Sequence, residues 1–166
     1  EKLLSDGHRA LAVVGRSNPS DTSLQDLAKA RGITLLTPGK VNAEDFVERI
    51  SALRPELNIS MSYNQILRRP IIDTAPLGFI NCHAGKLPRY RGRNVINWAL
   101  TNNETEIGLT IHYVNEGIDT GDIILQHCLP MAWTDGYGDV LSAVRDAFPG
   151  LLSRAVSLLA MGKAPR

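Results

Sequence analysis

The sequence predicts an α/β fold built on a doubly wound, mostly parallel sheet with a mixed edge. Three observations carry this reading. Residues 10–15 (ALAVVG) and 79–83 (FINCH) are near-continuous apolar runs of the kind found in parallel strands covered on both faces. In the first half of the chain such runs alternate with segments of helical spacing, which favours parallel strands joined by crossovers. Two later strand-like segments, 107–114 and 123–129, are separated only by NEGIDTGD. So short a connection suits an antiparallel pair.

The elements follow in order. EKLLSDG at the start reads as the tail of a helix stopped at Gly7, and residues 10–15 form the first strand. A loop covers 17–23, with Asp21 or Thr22 able to cap a helix over 24–31 that Gly32 ends. A second strand spans 33–36. Asn42 or Ala43 opens a helix running to Leu53, with Phe46, Val47, Ile50 and Leu53 at helical spacing. Residues 57–62 alternate and read as a less buried third strand. A short helix is expected over 65–72, a fourth strand over 79–83 and a helix over 94–101. After the two later strands, 140–161 reads as a helix interrupted at Pro149.

Composition fits one soluble globular domain. The 166 residues are 43% hydrophobic and 21% charged, with a formal net charge of +1. That balance marks no nucleic-acid or membrane partner, and no apolar run reaches the ~18 residues needed to span a bilayer. Cys82 and Cys128, without Cys-x-x-Cys spacing, suit a reducing, cytoplasmic setting and are expected to be free thiols. There is no Gly-x-Gly-x-x-Gly, Walker sequence or Gly-x-Ser-x-Gly. His112, His127 and Cys128 lack metal-site spacing, so no metal is expected.

Chemistry concentrates at the end of the fourth strand. Side chains alternate in a strand, so Asn81 and His83 share a face and Cys82 points away. Open α/β sheets bind ligands beyond the carboxyl ends of their strands. An amide beside an imidazole there can stabilise a carbonyl oxygen that gains charge while a proton moves. It is equally an ordinary polar strand end. In GIDTGD (117–122), Asp119 is either a common turn residue or a carboxylate that orients an imidazole. In KLPRYRGR, Lys86, Arg89, Arg91 and Arg93 form either a solvated basic loop or an anion site ahead of a helix.

Taken together, NCHAGKLPRYRGRNVINWALTNNETEIGLTIHYVNEGIDTGDIILQ (81–126) resembles the formyltetrahydrofolate-dependent formyltransferases. The shared pattern is Asn81-x-His83, Leu87–Pro88, Arg91–Gly92, Gly108-x-Thr110-x-His112 and Asp119-x-Gly121. The resemblance implies a Rossmann-like catalytic domain over 1–166 that lacks the family's first strand, with the C-terminal end also open to truncation. It implies Asn81, His83 and Asp119 as the catalytic set. A primary amine would attack the formyl carbon of 10-formyltetrahydrofolate, with Asn81 donating to the oxyanion. His83 would serve as base or electrostatic donor in a proton relay, and Asp119 would orient it or a water. MSYNQILRRPII (61–72) resembles the folate-side segment. The folate contacts implied are Met61, Tyr63, Ile66, Leu67, Gly117, Ile118 and Asp122. Because HAGKLPxYRGRNxxNWAL is similar to the sugar N-formyltransferases, the acceptor implied is a nucleotide-linked amino sugar. Its contacts would be Lys86, Tyr90, Arg91, Gly92, Arg93 and Asn94. A homodimer is compatible with this. The alternatives are a methionyl-tRNA formyltransferase domain, a non-catalytic fragment, and a formyltetrahydrofolate deformylase in which water replaces the amine. For the first, the chain to Arg166 leaves no room for a C-terminal RNA-binding domain. Against the third stand the long basic loop and RGRN. The absent strand is expected to leave a gap beside strands 10–15 and 79–83.

Overall fold

The computed structural model describes residues 1–16 and 22–165. Residues 17–21 of the loop expected over 17–23, with the Asp21 cap, lie outside them. In chain order the elements are α1 (Lys2–Ser5), β1 (Ala12–Val14), α2 (Ser23–Ala30), β2 (Thr34–Leu36), α3 (Glu44–Ala52) and β3 (Asn58–Met61). They continue with α4 (Arg69–Ile72), β4 (Phe79–His83), α5 (Val95–Thr101), β5 (Glu106–Tyr113), β6 (Ile123–Pro130) and α6 (Tyr137–Ala160). The fold is α/β as expected, with β1–β2 and β3–β4 parallel and β4–β5 and β5–β6 antiparallel.

Three local expectations change. Helix α4 begins at Arg69, not at 65. Asn42 holds the preceding segment by donating to the Ile66 carbonyl (2.8 Å) and accepting from the Arg68 N–H (2.9 Å). Pro70, without an N–H, then fits only the first turn of the helix. Helix α6 runs unbroken through Pro149. Its buried stripe of Val140, Val144, Phe148, Leu151, Ala155 and Leu159 packs into one core, and that apolar contact outweighs the one backbone bond the proline removes. Thr22 stands at the N-cap of α2, but its hydroxyl donates to the Asp26 carboxylate at 2.9 Å.

The strands form two sheets, β1–β2 and β3–β4–β5–β6. The position of the gap differs from the expectation. β4 is flanked on both edges, by β3 and β5, so the edge strands of the larger sheet are β3 and β6, and it is β3, not β4, that is open on the side of β1. Among the described residues neither β1 nor β3 has a strand bonded to its second edge. The Arg16 guanidinium, just after β1, donates to the Ser62 carbonyl just after β3 and ties their carboxyl ends together.

Two apolar clusters lie on opposite faces. Ile80, Cys82, Leu109 and Ile111 from the sheet pack with α5 and α6. Leu36, Phe46, Ile50, Leu67, Ile71 and Ile72 form the second, against which Phe79 and Val114 rest. β4 therefore turns Phe79, Asn81 and His83 away from α6. No helix among the described residues is long and apolar enough to cross a membrane.

Two outcomes are expected. In hydrogen exchange, amides of β1 and β3 that point away from their paired strands should exchange well before those of β4 and β5, whose edges are covered on both sides. Equal protection across all four strands would mean that the edges are closed. Burial also pushes the Cys82 thiol up to about 12, while Cys128 is only half-buried. Native protein should therefore take up one equivalent of alkylating agent, at Cys128, and a second only on unfolding. Fast labelling of Cys82 in the native state would contradict this packing.

Candidate active site

The site is a polar layer on one face of the four-stranded sheet. In the antiparallel register Asn81 lies opposite His112 and His83 opposite Thr110. Thr110 in turn lies opposite Gln126 on β6. Paired residues share a face, so these five side chains lie together. His112 and Thr110 are 2% and 0% exposed, and polar groups buried so deeply require partners. The Thr110 hydroxyl donates to the Gly85 carbonyl at 2.7 Å and accepts from Gln126 Nε2 at 2.9 Å. Gln126 Nε2 also reaches the Leu87 carbonyl at 3.0 Å.

These bonds lay the loop after β4 directly over the layer. Two glycines allow the close approach. A Cβ at Gly108 would lie 2.4 Å from Lys86 Cα, and one at Gly85 would lie 2.5 Å from His83 Nε2. Tyr90 anchors the far side of the loop. Its hydroxyl donates to Glu104 at 2.6 Å, and its backbone carbonyl lies 2.6 Å from His83 Nε2. Since a carbonyl can only accept, Nε2 carries the hydrogen there.

Asp119 enters from the β5–β6 turn with a left-handed backbone, φ 50°. Asn115 Oδ1 supports the turn by accepting from the Gly117 N–H (3.1 Å) and the Thr120 hydroxyl (2.6 Å). One Asp119 oxygen, Oδ2, accepts from the Gly92 N–H at 2.8 Å and lies 3.6 Å from His83 Nδ1. The other, Oδ1, is 3.4 Å from both Asn81 Nδ2 and His112 Nε2. Burial pushes the carboxyl up, but hydrogen bonds from His112 and the Gly92 N–H, with the charges of His83 and His112, more than offset it. The carboxyl therefore sits below the ordinary aspartate value.

Asn81, His83 and Asp119 thus meet within hydrogen-bonding or near-contact distance. The arrangement couples an amide donor to an imidazole–carboxylate pair, which is what charge stabilisation and proton transfer at a carbonyl require.

The family described as formyl transferase matches residues 7–156. The chain belongs to the formyl transferase family. A methionyl-tRNA formyltransferase from Syntrophus aciditrophicus is 40% identical over 134 residues, 81% of this chain and 43% of that protein. One from Pelotomaculum thermopropionicum is 34% identical over 172 residues, 99% of this chain and 55% of that protein. The chain spans about half the length of the curated relatives it matches. Among solved structures, glycinamide ribonucleotide transformylase 1 from Symbiobacterium toebii has a TM-score of 0.80 at 25% identity, covering 90% of this chain and 74% of that one. A sugar 3N-formyl transferase solved with dTDP and 5-N-formyl-THF has a TM-score of 0.77 at 22% identity, covering 98% and 58%, and shows the fold alone.

For this formyl transferase domain the other expected residues fall into two groups. Met61, Ile66 and Ile118 are exposed apolar side chains, and Arg91, Arg93 and Asn94 are exposed on the loop. Several others are already engaged. Leu67 is buried in the second core, and the Asp122 carbonyl accepts from the Tyr113 N–H. Lys86 is ion-paired with Glu106, the Tyr90 hydroxyl is held by Glu104, and the Gly92 N–H is spent on Asp119. The Tyr63 hydroxyl is buried without a hydrogen-bond partner among the described residues. Thr110 and His112 entered the sequence reading only as elements of the shared pattern, with His112 also rejected as a metal ligand, and Gln126 only within the quoted stretch; none was given a role. Their signal was the two-residue spacing of Gly108, Thr110 and His112 between apolar residues on β5, which marks a covered polar face.

The depressed Asp119 carboxyl makes a prediction with a definite sign. A group titrating lower when folded contributes stability that is fully present above its unfolded value of ~3.9 and lost as pH falls through the folded value. Urea unfolding should show wild type more stable than Asp119→Asn at about pH 5 and above, with the margin closing below ~4. A margin that persists in strong acid would mean the carboxylate charge is not what holds the turn.

Proposed function

We propose that this domain transfers a formyl group from 10-formyltetrahydrofolate to the primary amine of a nucleotide-linked amino sugar. The observation that carries the transfer is the Asn81 amide and the His83 imidazole converging on one carboxylate in a formyl transferase chain. In this reading the amine nitrogen attacks the formyl carbon, and the new N–C bond forms as the bond to folate N10 breaks. Asn81 donates to the oxygen that gains charge. The proton lost by the amine passes through the His83–Asp119 pair to N10, so the amide product and tetrahydrofolate leave neutral at those nitrogens. The exposed Met61, Ile66 and Ile118 supply apolar surface for a pteridine ring. The unpartnered Tyr63 hydroxyl suits one of its polar atoms.

For the acceptor, the support is the loop. With Lys86 neutralised by Glu106, Arg89, Arg91 and Arg93 remain exposed, a cluster suited to a pyrophosphate. The neighbour solved with dTDP is a sugar 3N-formyl transferase, in keeping with this. A methionyl-tRNA acceptor is the second reading, favoured by the names of the relatives at 34–40% identity. The reading also includes a further parallel strand between β1 and β3, supported by their two open edges. The domain would be active only with that slot filled.

The test is turnover of 10-formyltetrahydrofolate by the whole protein carrying this domain, offered nucleotide-linked amino sugars, methionyl-tRNA or water alone. Formylation of a sugar amine is expected. Formylation of tRNA would move the acceptor to the second reading, and water-only turnover would make the domain a deformylase. Asn81→Ala should lower turnover with the preferred acceptor on the order of 10²–10³-fold, the usual effect of losing one oxyanion donor, with little change in folate binding. Near-normal turnover would make Asn81 structural.

A further inference from the structure

With His112 neutral, the Asn81 amide has no hydrogen to spare. Its nitrogen carries two, and two acceptors stand near it: His112 Nε2 at 3.3 Å and Asp119 Oδ1 at 3.4 Å. A carboxylate can only accept, so the amide must present its nitrogen to this pair. To donate to a substrate oxygen, Asn81 has to give up one of them.

We propose that His112 is a positioning residue whose protonation releases the Asn81 amide for substrate. The proposal rests on the reading of Asn81 as the oxyanion donor. His112 is one of the most buried side chains of the protein, 2% exposed. Its Nδ1 lies 2.8 Å from the Tyr113 carbonyl, so Nδ1 carries a hydrogen in either charge state. All change on titration is therefore confined to Nε2. When His112 is neutral, Nε2 offers a lone pair and accepts from Asn81. When it is protonated, Nε2–H donates to Asp119 Oδ1, 3.4 Å away, and can no longer accept the amide. One Asn81 hydrogen is then free.

His83 is built the same way and aimed at the other oxygen. Its Nε2–H is anchored on the Tyr90 carbonyl, and its Nδ1 faces Asp119 Oδ2. The two rings are nearly perpendicular, with centroids 6.2 Å apart. One carboxylate thus stands between two imidazoles, each with a fixed tautomer and one nitrogen left to titrate. The ionisable groups facing His112 are Asp119 from the β5–β6 turn and His83 from β4, while β6 presents Ile123 at the paired position. A proton on His112 leaves Asp119 with a donor at each oxygen, from Gly92 and from His112, and so keeps the carboxylate in place when Asn81 lets go.

The experiment is a pH titration of the whole protein carrying this domain, followed by side-chain nitrogen NMR, with His83→Gln used to separate the two imidazoles. His112 should show its hydrogen on Nδ1 throughout. The Asn81 amide signals should shift with the same midpoint as His112 Nε2. Asn81 signals that stay fixed while His112 titrates would overturn the proposal, whatever the enzyme turns over. In activity, His112→Gln should lower kcat on the order of 10–100-fold, as loss of an orienting partner does. It should also flatten the pH dependence of kcat with little change in KM for the formyl donor. An unchanged pH profile would equally overturn it. Full turnover in Asn81→Ala would instead defeat the catalytic reading, and the NMR coupling would still report on His112.

Discussion

The carboxylate of Asp119 receives the Gly92 backbone on one oxygen and the Asn81 amide on the other, with an imidazole facing each. Four stretches of chain therefore meet on two atoms: β4, the loop that follows it, β5, and the turn between β5 and β6. Asp119 itself sits in the left-handed region, a conformation Asp tolerates better than most residues because its short polar side chain can bond locally. Here that side chain bonds across the site, while Asn115 does the local work of closing the turn. Charge-assisted hydrogen bonds of this kind are roughly twice as strong as neutral ones. The geometry of β4's polar end depends on them, because among the described residues no other hydrogen bond joins the turn to the loop at this point.

The candidate site is built from the four-stranded sheet and the two connections at its edge. β4 gains backbone partners on both edges, and the α5–α6 core supports it from behind. The smaller β1–β2 sheet contributes through the second core, where Leu36 joins Phe46, Ile50 and Ile71. Its link to the site is indirect: Phe79, at the start of β4, rests on that core two residues before Asn81. A disturbance at the open edges would reach the site through this contact and through Arg16 on Ser62.

Much of this was legible in the sequence, because the signals were local. Apolar runs marked the strands, alternation placed Asn81 and His83 on one face with Cys82 behind them, and the Gly-rich turn marked where Asp119 stands. What was not legible depended on contacts between distant residues. The start of α4 is set by Asn42, more than twenty residues upstream. The continuity of α6 through Pro149 is decided by a stripe that only tertiary packing rewards. Lys86 read as a free cation until Glu106 appeared beside it, and Gly92 read as a substrate contact until its N–H was found on Asp119. His112 carried its signal in plain view, but spacing alone cannot tell a polar residue on a covered face from one on a wet one.

The loop over the site has an inner and an outer side with separate duties. Its inner side is committed. The Gly85 and Leu87 carbonyls are bonded to Thr110 and Gln126, the Tyr90 carbonyl to His83, and the Gly92 N–H to Asp119. All four of these bonds use main-chain atoms of the loop, carbonyls that every amino acid supplies and one N–H that only proline lacks. The side chains of Arg89, Arg91 and Arg93 face outward and bear none of that structure. Such a segment can exchange its outer residues, and so its choice of partner molecule, while the same backbone goes on holding the same reactive groups. One chemistry and many acceptors then become separable inheritances of a single stretch of chain.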